Sequence, residues 1–333
     1  MNASKPEFQP PPPPPRAVDA LLKGFNAIAS NVVVILFPVI LDVFFWLGPR
    51  LKADALLSPL MDMLPEVQRQ APAEQAKLFT QVMTEFYNGF NLFSVFRTFP
   101  LGVFSLLSVN ISVKSPLGTR AALGATGPTG ILISLVLMLA LIFLGWVAGS
   151  LYFRVVAQAA LKHKNSPGIL RSVFQSVLLS GVWMVLFLLA NLPLLVFLWA
   201  MSLLGDTVRS IVLLLLAIPI SWLVLSIFFS FHGIFAGAQN AFVSAVNSIR
   251  MLRYGLPPLG WFAMLAIVIN QGMDILWRAA PTESWMMGVG ILGHAFISTG
   301  LLAASFIYYR DLNAWIESAQ QWLKKQNTSS AQA

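Results

Sequence analysis

The chain has 333 residues, of which 57% are hydrophobic and only 10% are charged. Soluble globular domains carry about 25% charged residues, so this composition excludes an ordinary soluble domain and indicates a polytopic membrane protein. The net charge of +8 contains no dense basic run that would suit nucleic acid, and the absence of cysteine excludes disulfides, thiolate metal sites and cysteine nucleophiles.

The N-terminal tail, residues 1–16, contains six consecutive prolines from Pro10 to Pro15. Such a run adopts polyproline II, so we predict a disordered tail that acts as a stiff spacer. A ligand for an SH3-type domain is the alternative. Residues 17–48 are expected to form an interfacial amphipathic helix followed by the first span, at about 27–47.

Residues 51–128 form the longest stretch between predicted spans, and we expect them to lie outside the cytoplasm. Helical spacing of apolar residues predicts a soluble amphipathic helix over 73–87. Residues 91–113 are apolar, but Arg97 and Pro100 interrupt them too strongly for a lipid-facing span. This segment is therefore expected to pack on the membrane domain, to lie at the interface or to be re-entrant.

The fold class predicted from these patterns is all-α, with six transmembrane helices in three hairpins and a mostly helical insertion outside. Residues 129–309 hold five of the spans and two further interfacial helices. The clearest unit begins at Gln239, breaks at Gly255 and continues as an apolar run to Trp277. The predicted spans are about 27–47, 129–152, 173–203, 210–231, 259–276 and 285–309.

The chain is expected to end with another amphipathic helix over 311–325 and a disordered tail over 326–333. The short loops after the second and fourth spans predict the orientation, because they are basic and lack acidic residues. These loops should lie at the cytoplasmic face of a bacterial cytoplasmic membrane, against anionic headgroups, with both termini inside. The interfacial basic residues are Arg154, Lys162, Lys164, Arg250 and Arg253.

Polar side chains inside the predicted spans are the candidate functional residues, because burying them in lipid is costly. Asp42, one turn after Pro38, could line a transport path or simply reach water, and His294 could serve a proton path or bond a neighbouring helix. Asn191 and Asn270 complete the candidate intramembrane polar site, although asparagine in spans usually serves packing.

Other polar residues near the span ends have simpler predicted roles. Asp274 and Arg278 are spaced for an interfacial salt bridge, and His232 is expected to be solvated.

Pairs of glycines spaced for close helix packing occur in two spans. The second pair belongs to a G-x-G-x-x-G sequence, which resembles a dinucleotide fingerprint. That fingerprint requires a preceding strand in a soluble βαβ unit, so we interpret this one as a packing face. The predicted packing residues are Gly145, Gly149, Gly288 and Gly293.

The sequence contains no recognisable catalytic motif, phosphate-binding loop or clustered metal ligands. We therefore predict a protein that is not an enzyme and that requires no cofactor or metal. An intramembrane pair of Asp42 with His294 is the one chemical arrangement left open.

The unit of surface helix, break and span at 240–265, with two weaker counterparts, resembles bacterial six-helix membrane proteins with amphipathic elbow helices. Examples are the membrane domain of some glycerophosphodiester phosphodiesterases and the YciC-like proteins. The resemblance covers the architecture of roughly 16–310. It implies no catalytic residue, since the phosphodiesterase domain is absent.

Two hypotheses for function follow from these patterns. The first is a structural, assembly or envelope-associated membrane component whose region 51–128 contacts a protein partner. The alternative is a transporter or channel for a small or lipidic solute that uses Asp42 and His294.

Overall fold

The computed structural model describes residues 12–70, 73–108, 113–124, 127–162 and 168–331. These residues are mainly helical, with a single two-stranded sheet among them. The helices are α1 Ala17–Ala29, α2 Leu36–Leu47, α3 Asp54–Asp62, α4 Leu64–Gln70, α5 Ala73–Gly89, α6 Gly127–Leu161, α7 Ile169–Ser202, α8 Asp206–Ser230, α9 His232–Gly237, α10 Ala241–Trp277 and α11 Met287–Ala331. The strands are β1 Arg50–Leu51 and β2 Ala122–Leu123.

Five of these helices are long and apolar enough to cross a membrane, namely α6, α7, α8, α10 and α11. The number becomes six if α1 and the helical residues 32–47 that follow it are counted together as one broken span. An all-α polytopic membrane protein is the class that such helices indicate.

The chain divides into two compact units. Unit 1 contains the described residues up to Asn31 and those within 153–269 and 300–331. Unit 2 contains the described residues within 32–152 and 270–299.

The first predicted span is not a continuous helix. Residues 17–29 and 32–47 form two helical pieces separated by a break at Ser30 and Asn31. The side chains of Ser30 and Asn31 donate to the carbonyl oxygens of Asn26 and Ala27, at 2.9 Å each, and so compete with continued helix. Pro38 causes no break, because it lies in the first turn of α2, where its missing N–H is not needed.

Two expected surface helices are continuous with spans. Residues 153–161 extend α6, while α11 continues through 311–325 and includes 326–331, which had been predicted to be disordered. The sequence offers no proline or glycine between 301 and 331 to end the helix, so the amphipathic pattern extends the span instead. The predicted break in α10 is present as a kink, with non-helical angles at Gly255.

The proline-rich tail lies largely outside the described residues, which begin at Pro12. The carbonyl oxygen of Pro12 accepts a hydrogen bond of 2.7 Å from the indole Nε1 of Trp315, within unit 1.

The region between α2 and α6 is only partly helical. Helices α3, α4 and α5 occupy its first half, and α5 agrees with the amphipathic helix predicted at 73–87. A 3-10 turn at Leu92–Phe96 follows, and residues 97–108, here called the irregular segment, have neither helix nor strand. Strand β1 pairs in parallel with β2, which brings Arg50 opposite Ala122.

The irregular segment is partly buried in unit 2 against α6. A Cβ atom at Gly145 would lie 2.1 Å from the carbonyl oxygen of Phe96, and one at Gly149 would lie 2.8 Å from Gly102 Cα. The predicted small-residue face of α6 therefore packs against irregular backbone, where a second helix had been expected. The described part of 91–113 thus packs against α6, as one of its three predicted placements requires.

Enlarging Gly145 should destabilise unit 2 strongly. We expect Gly145→Ala to lower the melting temperature, because no space exists beside Phe96 and overpacking costs about 1–3 kcal/mol. The matched control is Gly272→Ala, since a Cβ there meets nothing within 4 Å. Thermal unfolding of the detergent-solubilised protein checks this, and equal melting temperatures for the two variants would contradict the packing described.

Candidate functional site

The carboxylate of Asp42 attaches α2 to the irregular segment. Asp42 is completely buried and accepts hydrogen bonds from the backbone N–H of Leu106 at 2.9 Å and of Leu107 at 3.1 Å. The hydroxyl of Ser105 donates to the same carboxylate and accepts from the N–H of Ser108. Three donors therefore meet the single carboxylate of Asp42.

A second buried pair joins α10 to α11. The Nδ1 atom of His294 lies 2.8 Å from Oδ1 of Asp274, and His294 is only 4% exposed. The amide of Asn270, one turn earlier on α10, donates to the other oxygen of Asp274 at 3.5 Å. Two of the four predicted site residues, His294 and Asn270, therefore meet through an aspartate that had been given only a surface role.

The two acidic groups belong to one electrostatic centre. The guanidinium of Arg278, one turn after Asp274, donates to the carbonyl oxygen of Leu106 at 3.2 Å. The N–H of the same residue, Leu106, donates to Asp42. When its ring is protonated, His294 attracts the Asp42 carboxylate. We call Asp42, Ser105, Asp274, Arg278 and His294 the polar centre.

The polar centre has one unused nitrogen. The Nε2 atom of His294 is buried and has no hydrogen-bond partner among the described residues. With Asp274 ionised, Nδ1 carries the hydrogen that points to the carboxylate, and Nε2 presents a lone pair. A buried imidazole in this state can accept a proton, a water molecule or a donor group of a solute.

The irregular segment reaches far along the helices of unit 2 from their ends. Phe104 contacts the ring of Tyr152, whose hydroxyl lies 2.9 Å from Oγ1 of Thr299. Thr299 is 12 residues into α11, which corresponds to about 18 Å of helix. Non-helical backbone is tolerated at such depth in a membrane only where protein or a cavity surrounds it.

The other predicted polar residues lie elsewhere. Asn191 belongs to unit 1, where its amide donates to the carbonyl oxygen of Phe187 in its own helix at 2.8 Å. His232 is completely buried in unit 1, which corrects the expected solvated position; its Nε2 lies 2.8 Å from the hydroxyl of Ser305. Five aromatic rings surround His232, and they exclude water from it.

The predicted basic residues differ in their surroundings. Arg250 is exposed and donates to the side chain of Gln320, while Arg253 lies 5.7 Å from the ring centre of Tyr254. Lys162 is exposed, Arg154 is half-buried, and Lys164 lies outside the described residues.

Gly293 allows two helices to pack closely beside the polar centre. A Cβ atom there would lie 2.6 Å from the indole ring of Trp277, so this glycine allows the end of α10 to approach α11 beside His294. At Gly288 a Cβ atom would lie 3.8 Å from Trp46, so that position has room for a side chain.

Sequence reasoning missed Ser105 and the Leu106 and Leu107 amides, because they belong to a segment without periodicity. The available signal was Asp42 itself, because a buried carboxylate requires hydrogen-bond donors from another part of the chain. Among the described residues, no group of three histidine, aspartate or glutamate side chains could hold a metal ion. Comparison of the chain with protein-family models, curated proteins and solved structures finds no match.

Proposed function

We propose that the chain is a multi-pass protein of the bacterial cytoplasmic membrane that transports a proton, alone or with a small solute, through the polar centre of unit 2. The observation that carries the proposal is the buried pair of Asp274 and His294, in which Nε2 is left without a partner. Ionisable groups inside a membrane bundle are expensive and mark ion and proton paths.

The proposed chemical step is a simple proton transfer. The lone pair on Nε2 of His294 takes a proton from one side, and the resulting imidazolium is neutralised by the Asp274 carboxylate 2.8 Å from its other nitrogen. The proton later leaves from the same nitrogen, which restores the neutral ring. Histidine suits this role because it gains and loses a proton easily near neutral pH.

Asp42 and the irregular segment provide the surroundings for this transfer. Discontinuous backbone at a polar site is typical of transporters, in which unwound segments form the substrate and ion sites. Asp42 holds the turn at Leu106 in place, and Arg278 holds the carbonyl of the same residue. A shift of this turn would change both contacts and could open the polar centre to one side.

A flux assay in liposomes tests the proposal. The full chain is reconstituted with a pH-sensitive dye inside, and a potassium gradient with valinomycin supplies the driving force. The dye should report faster acidification of the liposome interior than in protein-free liposomes. No flux under any imposed gradient, for protein shown to be folded and inserted, would remove transport as the function.

A structural or assembly role is the second candidate, and the saturation of Asp42 favours it. A carboxylate that accepts three hydrogen bonds serves to fix a loop without needing any further partner. In that case the region between α2 and α6 would be the surface for a protein partner, and anionic lipid would contact Arg250 and Arg253. The predicted resemblance to the elbow-helix membrane proteins is kept as part of the same proposal.

The proposed topology has six spans with both termini in the cytoplasm. Cysteines introduced at Gln81 and Lys325, both exposed, should react with a membrane-impermeant maleimide from opposite sides of the membrane. The native chain contains no cysteine, so it is the unlabelled control. Labelling of both positions in intact cells would contradict the proposed orientation.

A further inference from the structure

We infer that unit 2 contains a second site, a pocket for a small organic anion between Arg50 and Arg120. This inference goes beyond the proposed function, because it involves none of the residues of the Asp274 and His294 pair and would hold if transport were disproved. The pocket has a volume of about 240 Å³. It is lined by Phe45, Arg50, Phe86, Phe90, Asn91 and Arg120, among others.

The small sheet explains why two arginines meet here. Strand β1 begins with Arg50, whose N–H donates to the carbonyl oxygen of Ala121 at 2.8 Å. Arg120 immediately precedes Ala121, so the parallel pairing brings both basic residues to the same pocket. These residues are 70 positions apart in the chain, and the strand pairing brings them together.

Backbone carbonyl groups hold both guanidiniums in place. Arg50 donates through Nη2 to the carbonyl oxygens of Asn88 and Gly89, and Arg120 donates to those of Phe45 and Val113. Each guanidinium has five N–H groups, so each keeps further donors after these two bonds. Fixed guanidiniums with unused donors are well suited to binding carboxylate or phosphate oxygens.

The pocket has positive charge without a matching negative charge. Among the described residues, its lining contains no aspartate or glutamate, and neither arginine takes part in an ion pair. Burial, and then the nearby charge of Arg50, lower the pKa of Arg120. Two half-buried like charges repel each other, and an anion between them would remove that cost.

The other residues that line the pocket indicate the chemistry of the ligand beyond its anionic group. Phe45, Phe86 and Phe90 supply an apolar wall, while Asn91 and Ser94 add polar groups near the arginines. The volume is below the about 300–1,000 Å³ of pockets for drug-sized ligands, which favours a small molecule. The chemistry that fits is a carboxylate on a compact aromatic or aliphatic body.

Calorimetric titration of the purified full chain in detergent tests this site, with benzoate, benzyl alcohol and inorganic phosphate as probes. Benzoate should bind, with affinity that falls as salt rises, and benzyl alcohol should not, since it lacks the charge. Arg50→Gln and Arg120→Gln should each weaken benzoate binding by about tenfold or more. The control Arg69→Gln, at an exposed position of α4, should leave binding unchanged.

The variants Arg50→Lys and Arg120→Lys separate an effect on binding from an effect on folding. They keep the positive charge and lose only the forked hydrogen-bond geometry of arginine. If these variants melt like the native protein and bind benzoate more weakly than it, the site stands. Benzoate binding that equals benzyl alcohol binding or ignores salt would overturn the inference. Phosphate binding as tight as benzoate binding would overturn the assignment of an apolar body to the ligand.

Discussion

His294→Gln should reduce proton flux through reconstituted protein by about a hundredfold, the scale at which a positioned proton-transfer group acts. Glutamine can still donate a hydrogen bond to Asp274, so the helices should stay packed, but its amide cannot gain and lose a proton near neutral pH. Asp274→Asn should have a similar effect, because the imidazolium would lose its neutralising charge 2.8 Å away.

Asn191→Leu is the matched control for these two variants. Asn191 is also a polar residue within a predicted span, but its amide bonds only to its own helix at Phe187, and it lies in the other unit. Its flux should equal that of the native protein. Native flux in His294→Gln, with native melting behaviour, would show that the pair is structural and would leave the assembly role as the better explanation.

Asp42→Ala should cause a large loss of stability in unit 2. It leaves the amides of Leu106 and Leu107 and the hydroxyl of Ser105 buried without their acceptor. A buried donor left without a partner costs about 1–3 kcal/mol, so three of them should cost at least about 3 kcal/mol together. At about 2–4 °C per kcal/mol for a unit of this size, the melting temperature should fall by about 10 °C.

Two milder variants give this prediction a graded form. Asp42→Asn keeps one acceptor oxygen and should cost about 1–3 kcal/mol, while Ser105→Ala loses one neutral donor and should cost about 1 kcal/mol. Asp62→Asn, at an exposed position of α3, is the control and should be neutral. Thermal unfolding in detergent measures the series, and equal melting temperatures for Asp42→Ala and Asp62→Asn would show that the irregular segment does not depend on Asp42.

Much of the architecture could be predicted because its signals are local. Apolar runs of about 20 residues and helical periodicity identified the long helices, the amphipathic helix α5 and the break at Gly255. Helix ends were predicted less well, since a change from apolar to amphipathic pattern does not end a helix. Helix α11 therefore runs through the predicted boundary at Arg310.

The candidate site was predicted in part. Asp42 and His294 were selected because ionisable groups are costly inside a membrane, and both are buried in unit 2. Their actual partners were not predicted, and neither was the burial of His232. A chain in isolation does not reveal which polar groups will satisfy one another, because that depends on the path of residues far away in sequence.

The sequence alone determined the class of protein, the approximate number of long apolar helices and the few ionisable residues worth considering, since hydropathy and charge act over one or two helical turns. Only the tertiary structure decided what those residues do. Asp42 meets amides 64 and 65 positions later, His294 meets Asp274 20 positions earlier, and Arg50 meets Arg120 through a two-residue parallel sheet. Each contact depends on how an irregular segment or a helix end is packed, and a buried polar group finds its partner only when that packing is complete.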